Sequence, residues 1–152
     1  MLKKAWLLKF LLNIWPPFFF TGIKVEMISS DFRHARVSLK MRPWNKNAMG
    51  VHFGGSLFAM TDPFYMLMTL ARLGNNYYVW DKTADIDYIK PGKGVVYAEF
   101  SVSDHFIDEI LEQTRHGEKY LPSVEVFVKN NSGELIAKVN RCLYIRQKKS
   151  YR

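Results

Sequence analysis

A single acidic residue, Asp62, stands in an apolar stretch that runs from residue 56 to residue 73. A helix that is apolar nearly all round is normally buried, and burial disfavours the charged form of a carboxylate unless a partner holds it ionised. A carboxylate in that setting can act as a general base on water or attack an acyl carbon directly.

The proline after Asp62 leaves two interpretations of this acid open. Asp62 can be the N-cap of a helix whose first residue is Pro63, a purely structural role. If the helix instead begins near Gly55, Pro63 removes an internal hydrogen bond and kinks the helix beside the acid. Such a kink next to a buried carboxylate favours a functional role.

The loop ahead of this helix, residues 47–55 with the sequence NAMGVHFGG, is the second candidate for chemistry. Paired glycines, Gly54 and Gly55, let backbone amides at a helix N-terminus approach a ligand and stabilise a developing oxyanion. Asn47 and His52 are placed to position a carbonyl group or a water. The alternative is a loop in which glycine supplies turns, asparagine caps them and His52 is an ordinary polar residue.

No metal site or disulfide is predicted. The single cysteine, Cys142, has no partner in the chain, and neither it nor the four histidines shows metal-ligand spacing. These features favour a reducing, cytoplasmic compartment. Three aspartates of one predicted strand are expected to share a face, and we interpret that face as a polar outer surface: Asp81, Asp85 and Asp87.

The hydrophobic periodicity predicts one α+β domain in which an antiparallel sheet wraps a long central helix. A buried helix is predicted over residues 56–73, ended by Gly74, and a shorter one over 104–114 with Asp104 as N-cap. Strands are predicted over 23–28, 35–41, 78–89, 95–103, 121–129 and 135–145. Residues 21–146 form the domain, residues 1–20 an additional N-terminal helical segment and residues 147–152 a basic tail.

The N-terminal segment is predicted to form a helix from about residue 2 to residue 14, stopped by Pro16 and Pro17. Lys9 interrupts its apolar run, no cleavage pattern follows, and the run is shorter than the ~20 residues that span a bilayer. We expect it to cover the core, together with the three phenylalanines at 18–20. Contact with a membrane surface remains an alternative.

A net charge of +8 favours an anionic partner, either nucleic acid, a membrane surface or a phosphate-bearing small molecule. The basic residues are scattered except at the C-terminus, and no nucleic-acid-binding module is recognisable. The sequence therefore does not predict nucleic-acid binding.

The loop and helix together resemble the hotdog fold, and within it the phenylacetyl-CoA-type branch of the acyl-CoA thioesterases. In that branch an Asn precedes a Gly pair at the spacing of Asn47 to Gly54, and a helix Asp follows at the spacing of Gly55 to Asp62. The segment 85–92, DIDYIKPG, resembles the family's strand that ends in a basic-Pro turn. The resemblance covers residues 21–145 and is strongest to a subgroup with an extra N-terminal helix.

The resemblance implies a thioesterase with Asp62 as nucleophile or general base, Gly55 as an oxyanion-hole amide and Asn47 positioning water or thioester. Two positions depart from the family pattern. The family usually has a His directly before the glycine pair, where this sequence has Phe53 with His52 one residue earlier, and Pro63 after the Asp is not typical of the best-known members. The implied substrate is an acyl-CoA, with no further cofactor, and the implied assembly is a homodimer or homotetramer with an active site shared between two chains. Predicted substrate contacts are Gly54, Phe53, Lys90, Lys93 and Arg72, the last three on the phosphates of coenzyme A.

Two other functions are compatible with the fold. A non-catalytic acyl or lipid carrier would account for the displaced His52, the Pro63 kink and the apolar N-terminal helix. A hotdog dehydratase or hydratase would need a His and acid pair in a different motif, which the sequence does not contain.

Overall fold

The computed structural model of the chain describes residues 4–149 and contains five helices and seven strands. The helices are α1 (Ala5–Ile14), α2 (Pro16–Thr21), α3 (Gly54–Ala59), α4 (Phe64–Leu73) and α5 (Asp104–Gln113). The strands are β1 (Ile23–Ile28), β2 (His34–Lys40), β3 (Tyr77–Tyr88), β4 (Val95–Ser101), β5 (Lys119–Tyr120), β6 (Ser123–Asn130) and β7 (Leu135–Gln147). The predicted start of α1 at residue 2 and the end of the basic tail lie outside the described residues.

The strands form one antiparallel sheet in the order β1-β2-β4-β6-β7-β3, with the short β5 also paired to β7. Helices α3 and α4 pack on one face of this sheet, where Phe64 stacks on Phe100 with ring centroids 4.6 Å apart. The predicted α+β class is confirmed. Within residues 4–149, no helix is long and apolar enough to cross a bilayer.

The two edges of the sheet differ in how they are protected. Helix α1 covers the β1 edge, since the Asn13 side chain accepts a hydrogen bond from the Val25 amide (2.8 Å) and donates one to the Val25 carbonyl (3.1 Å). Strand β3 has β7 as its sole pairing partner among the described residues. An edge strand of twelve residues presents a row of backbone groups that a further strand can pair with.

Pro16 and Pro17 end α1 as predicted, but they also begin a second helix. Proline is well tolerated at the first positions of a helix, because the amide hydrogen it lacks would have no partner there. Gly22 ends α2 in the left-handed region, at φ 80°. Phe18 is buried, whereas Phe19 and Phe20 are 63% and 68% exposed, so the expected burial of all three phenylalanines is wrong for two of them.

The single helix predicted over residues 56–73 is two helices separated by a turn at residues 60–63. Pro63 has no amide hydrogen to continue the first helix, and the chain tightens into i to i+3 hydrogen bonds, Thr61 N to Phe58 O (3.0 Å) and Asp62 N to Ala59 O (3.1 Å). The break places Asp62 in the turn between the two helices.

Two local predictions are corrected. A bulge in β3 between Asp81 and Thr83 shifts the alternation by one residue, so Asp81 points inward with Val79 while Asp85 and Asp87 are exposed. The three aspartates therefore do not share a face. The N-cap of α5 is Ser103, whose hydroxyl accepts from the Phe106 amide at 3.1 Å, and Asp104 is in the first turn.

Candidate active site

The loop and the start of α3 form one wall of a cavity of about 500 Å³. The opposite wall is the segment that follows β3, so residues far apart in sequence meet across it. Its lining includes most of the predicted site residues together with apolar side chains: Asn47, Val51, His52, Phe53, Gly54, Gly55, Leu57, Tyr88, Ile89, Lys90, Pro91 and Gly92.

Asn47 shapes the loop. Its Oδ1 accepts hydrogen bonds from the backbone amides of Met49 (2.9 Å) and Val51 (3.2 Å). Its backbone amide donates to the Val51 carbonyl (2.9 Å). These bonds hold the loop as a compact turn and fix the orientation of the side chain. The Nδ2 group has no hydrogen-bond partner within residues 4–149 and can donate to a molecule in the cavity.

Close packing around the glycine pair explains why side chains are missing there. A Cβ on Gly54 would lie 2.8 Å from the Tyr88 hydroxyl, and a Cβ on Gly55 would lie 2.4 Å from the Phe53 ring. The amides of Gly54 and Gly55 begin α3, and no acceptor among the described residues takes either of them. Both glycines line the same cavity as Asn47, and Gly55 also borders a second cavity.

His52 is buried and holds two parts of the cavity wall together. Its amide donates to Gly92 O at 2.9 Å, and its Nε2 lies 3.2 Å from Gly94 O, which makes Nε2 the protonated ring nitrogen. Nδ1 is buried without a hydrogen-bond partner among the described residues. Burial lowers the pKa of His52 below its usual value, with the Gly94 bond opposing this effect. These contacts favour a structural role for His52, which is one of the two roles that the sequence left open.

This role of His52 predicts a pH effect on stability. The pKa of His52 is lowered from 6.5 in the folded state, so the unfolded state binds the proton more tightly and stability is lost as pH falls below that value. His52→Gln retains an N–H donor for Gly94 but does not titrate. We expect the variant to lose less in melting temperature than the natural protein between about pH 7.5 and about pH 5.5. Equal losses would contradict the assignment.

Asp62 does not line this cavity within its own chain. It borders a smaller cavity of about 220 Å³ lined by Trp15, Pro17, Phe18, Gly55, Phe58 and Ala59. The Asp62 side chain is 62% exposed, which corrects the expectation of a buried acid. The N-cap of α4 is Pro63, with no side-chain cap, so Asp62 does not serve as a helix cap either.

A buried arginine that sequence reasoning missed holds Asp62 in place. Arg141 is 2% exposed, and its Nη1 lies 3.2 Å from Asp62 Oδ1 and 2.6 Å from Asp81 Oδ2. Its Nη2 donates to the Thr61 hydroxyl at 3.1 Å, and the guanidinium lies over the Phe58 ring at 5.2 Å. Strand alternation could have found this residue, because Arg141 falls on the same face as the buried Val139 and Leu143.

The second carboxylate, Asp81, makes this a charge cluster with one cation and two anions. Burial raises the pKa of Asp81 above its usual value, Arg141 opposes the rise, and the negative charge of Asp62 adds to it. Asp81 Oδ1 and Arg141 Nε are buried without hydrogen-bond partners among residues 4–149. Asp62 is the exposed member of the cluster and faces solvent at the helix break.

The three predicted phosphate contacts are placed differently from one another. Lys90 borders the cavity, where Glu134 forms a salt bridge with its Nζ, and this lysine lowers the pKa of Glu134. Lys93 is exposed on the following turn. Arg72 is a correction: its guanidinium donates to Val102 O (2.6 Å) and to Asp104, and it does not line the cavity.

The chain matches one sequence family and is similar to several solved structures. The model of the family described as a domain of unknown function, DUF4442, matches residues 3–145. No curated protein matches the sequence. The structure is similar to PA5026 of Pseudomonas aeruginosa, a protein of unknown function named a probable thioesterase, with TM-score 0.84, 19% identity and coverage of 93% of this chain and 95% of that chain.

Two further solved structures show the same fold. Thioesterase HI1161 from Haemophilus influenzae has a TM-score of 0.68 and 14% identity, with 97% of this chain and 96% of that chain covered. The E. coli PaaI protein from the phenylacetic acid degradation operon has a TM-score of 0.65 and 17% identity, with 95% of each chain covered. Together these similarities confirm the predicted hotdog fold.

Proposed function

The chain belongs to the DUF4442 family, and from its hotdog fold and the geometry of its cavity we propose that it hydrolyses acyl thioesters, with acyl-CoA as the substrate class. One observation carries the proposal: Gly54 and Gly55, whose amides have no acceptor among residues 4–149, line an apolar-walled cavity together with Asn47. Donors fixed in this way suit the oxyanion that forms when a nucleophile adds to a thioester carbonyl.

The proposed reaction uses Asp62 as general base. The carboxylate takes a proton from a water molecule, whose oxygen attacks the carbonyl carbon of the thioester. The carbonyl oxygen becomes an oxyanion that accepts a hydrogen bond from Gly55 N–H, while Asn47 Nδ2 orients the thioester or the water. The oxyanion then collapses, the carbon–sulfur bond breaks, and the leaving thiolate takes the proton from Asp62, which releases the free thiol and the free acid and restores the carboxylate.

Two chains are needed to complete this site. Asp62 faces a different cavity from that of Asn47 within one chain. We therefore propose a homodimer, or a tetramer built from two such dimers, in which the loop of one subunit faces Asp62 of the other. The open β3 edge supports this arrangement, because a second copy pairing there lies next to Tyr88, which lines the cavity.

Coenzyme A carries phosphates, and the proposed cations for them are Lys90 and Lys93. Lys93 is exposed on the turn beside the cavity, and Lys90 borders it. The salt bridge between Lys90 and Glu134 is on the surface, where such pairs contribute little and can be exchanged for a phosphate contact.

The direct test is hydrolysis of a panel of short, aromatic and long-chain acyl-CoAs by the full chain. Hydrolysis is measured as the release of free thiol. Turnover of at least one class is expected, and the preferred acyl group identifies the substrate. Fatty ligand that copurifies with the protein, without turnover of any thioester, would favour the carrier function instead.

The shared site has its own test, a mixture of two defective subunits. Asn47→Asp keeps the acceptor for the Met49 and Val51 amides but removes the amide donor, and Asp62→Asn removes the base. Each variant alone is expected to be impaired. After mixing and subunit exchange, about a quarter of the sites contain both natural residues, and activity should rise to that level. Mixing Asp62→Asn with Asp62→Ala is the control, and a rise there, or none with Asn47→Asp, contradicts the two-chain site.

A further inference from the structure

Helix α1 has an apolar face that nothing in the described chain covers. Ala5, Leu8 and Leu12 are buried against the domain, as expected for the inner face of a surface helix. On the outer face Trp6, Phe10 and Ile14 follow one another at four-residue spacing and are 66%, 55% and 53% exposed. Surface helices normally carry polar residues on that side.

This apolar face continues beyond α1. Trp15, between α1 and α2, is 43% exposed, and Phe19 and Phe20 on α2 are 63% and 68% exposed. Trp44, 71% exposed, donates its indole N–H to Phe20 O at 3.2 Å. We call these side chains the aromatic surface: Trp6, Phe10, Trp15, Phe19, Phe20 and Trp44. It contains three of the four tryptophans of the protein. Exposed apolar patches of this kind mark contact sites.

The charge around the aromatic surface is positive. The sequence has no Asp or Glu in residues 1–25 or 32–61, the segments that carry the aromatic surface, whereas these segments contain nine Lys or Arg residues. Lys4 and Lys9 flank Trp6, and Lys46 lies in a shallow pocket with Phe20 and Trp44. The three acids that border these regions are already ion-paired, Glu26 with Arg36 at 3.2 Å, Asp31 with Arg33 at 3.5 Å and Asp62 with Arg141 at 3.2 Å.

We propose that the aromatic surface docks on a membrane that contains anionic phospholipids. Tryptophan and phenylalanine side chains insert at the boundary between headgroups and acyl chains, and the flanking lysines are attracted to anionic headgroups. A second copy of the chain fits less well, because a two-fold contact through this surface would bring like-charged lysines together.

Docking brings the candidate active site to the lipid. Phe53 borders both the pocket beneath Trp44 and the larger cavity with the glycine pair. The aromatic surface therefore lies on the side of the protein where that cavity is found. This proposal concerns binding alone and is independent of thioester hydrolysis.

The test is co-sedimentation of the full chain with vesicles of phosphatidylcholine, with and without phosphatidylglycerol. We expect binding to the anionic vesicles that weakens as salt is raised, with a blue shift of tryptophan fluorescence. The double variant Trp6→Ser with Phe10→Ser should bind about a hundredfold more weakly, since each ring loses its apolar burial. Loss of one lysine should weaken vesicle binding roughly fivefold. The double variant Lys4→Glu with Lys9→Glu should weaken binding by more than two such losses, because it also reverses the charge.

The matched control is Phe127→Ser, which removes a phenylalanine of 42% exposure on β6, away from the aromatic surface. It should bind like the natural protein. All of these positions are exposed, so the variants should stay folded, which circular dichroism checks.

Three results would overturn the proposal. They are no binding to anionic vesicles at low salt, equal effects of the Phe127 and α1 variants, and loss of self-association in the α1 variants with vesicle binding unchanged. The third result would assign the aromatic surface to contact with a second copy.

Discussion

Replacing Asp62 by Asn should lower kcat/KM for the preferred acyl-CoA by roughly 10²–10⁴, the usual contribution of a general base. Asn keeps the shape of the side chain and can still accept from Arg141 Nη1, which lies 3.2 Å away, but it cannot take a proton from water. The side chain is 62% exposed, so the melting temperature should change little. Steady-state hydrolysis and thermal unfolding of the same preparations measure both quantities.

The control for this variant is Asp104→Asn. Asp104 is also an exposed aspartate paired with arginine, here Arg33 and Arg72, and its side chain is 53% exposed. It lies at the start of α5, and it lines neither of the two cavities of the candidate site. Activity should be preserved. If Asp62→Asn keeps full activity, Asp62 is not the base and the proposed mechanism is wrong.

The second large effect is on stability and concerns Arg141. Arg141→Met should destabilise the protein by about 3 kcal/mol or more, because removing one partner of a buried pair leaves the other charge uncompensated. Asp81, at 23% side-chain exposure, would remain beside Asp62 without its cation. For a chain of this size that corresponds to a fall in melting temperature of roughly 6–12 °C.

The stability lost in Arg141→Met should depend on pH. The pKa of Asp81 is already raised above 3.8 by burial, and Arg141 is the group that opposes the rise. Without Arg141 the folded-state pKa rises further, so the contribution of Asp81 to stability is present at low pH and is lost as pH rises through that pKa. The stability gap between the natural protein and Arg141→Met should therefore narrow as the pH is lowered toward 3.8, the ordinary value for an Asp carboxyl.

Two further variants separate charge from packing. Arg141→Lys keeps the charge but loses the planar fork that reaches Asp62, Asp81 and Thr61 together, so it should lose less stability than Arg141→Met. Combining Arg141→Met with Asp81→Leu removes the stranded charge and should recover much of the loss. An Arg141→Met protein as stable as the natural one would show that the cluster contributes nothing.

The sequence by itself determined the fold class and the position of the candidate loop. Alternation with period two located β2, because a strand with one face buried records that burial in its own residues. The turn before it then placed β1 at Ile23–Ile28 as the hairpin partner, as observed, and the other main strands were located with shifts at their ends. The glycine pair was identified from its place directly before the apolar helix. The reason for Gly54 is tertiary, because a Cβ there would meet Tyr88 of the distant strand β3, whereas a Cβ on Gly55 would meet the nearby Phe53.

Only the tertiary structure decided the environment of Asp62. Its partner Arg141 is 79 residues away in sequence. No local pattern predicts which inward-facing residue of β7 contacts the turn before Pro63. The bulge in β3 that turns Asp81 inward depends on pairing with β7 and likewise has no local signature. Burial and charge pairing are set by contacts between distant segments, so the sequence identified an acid with possible chemistry, and the fold determined that it is exposed and bound to a buried arginine.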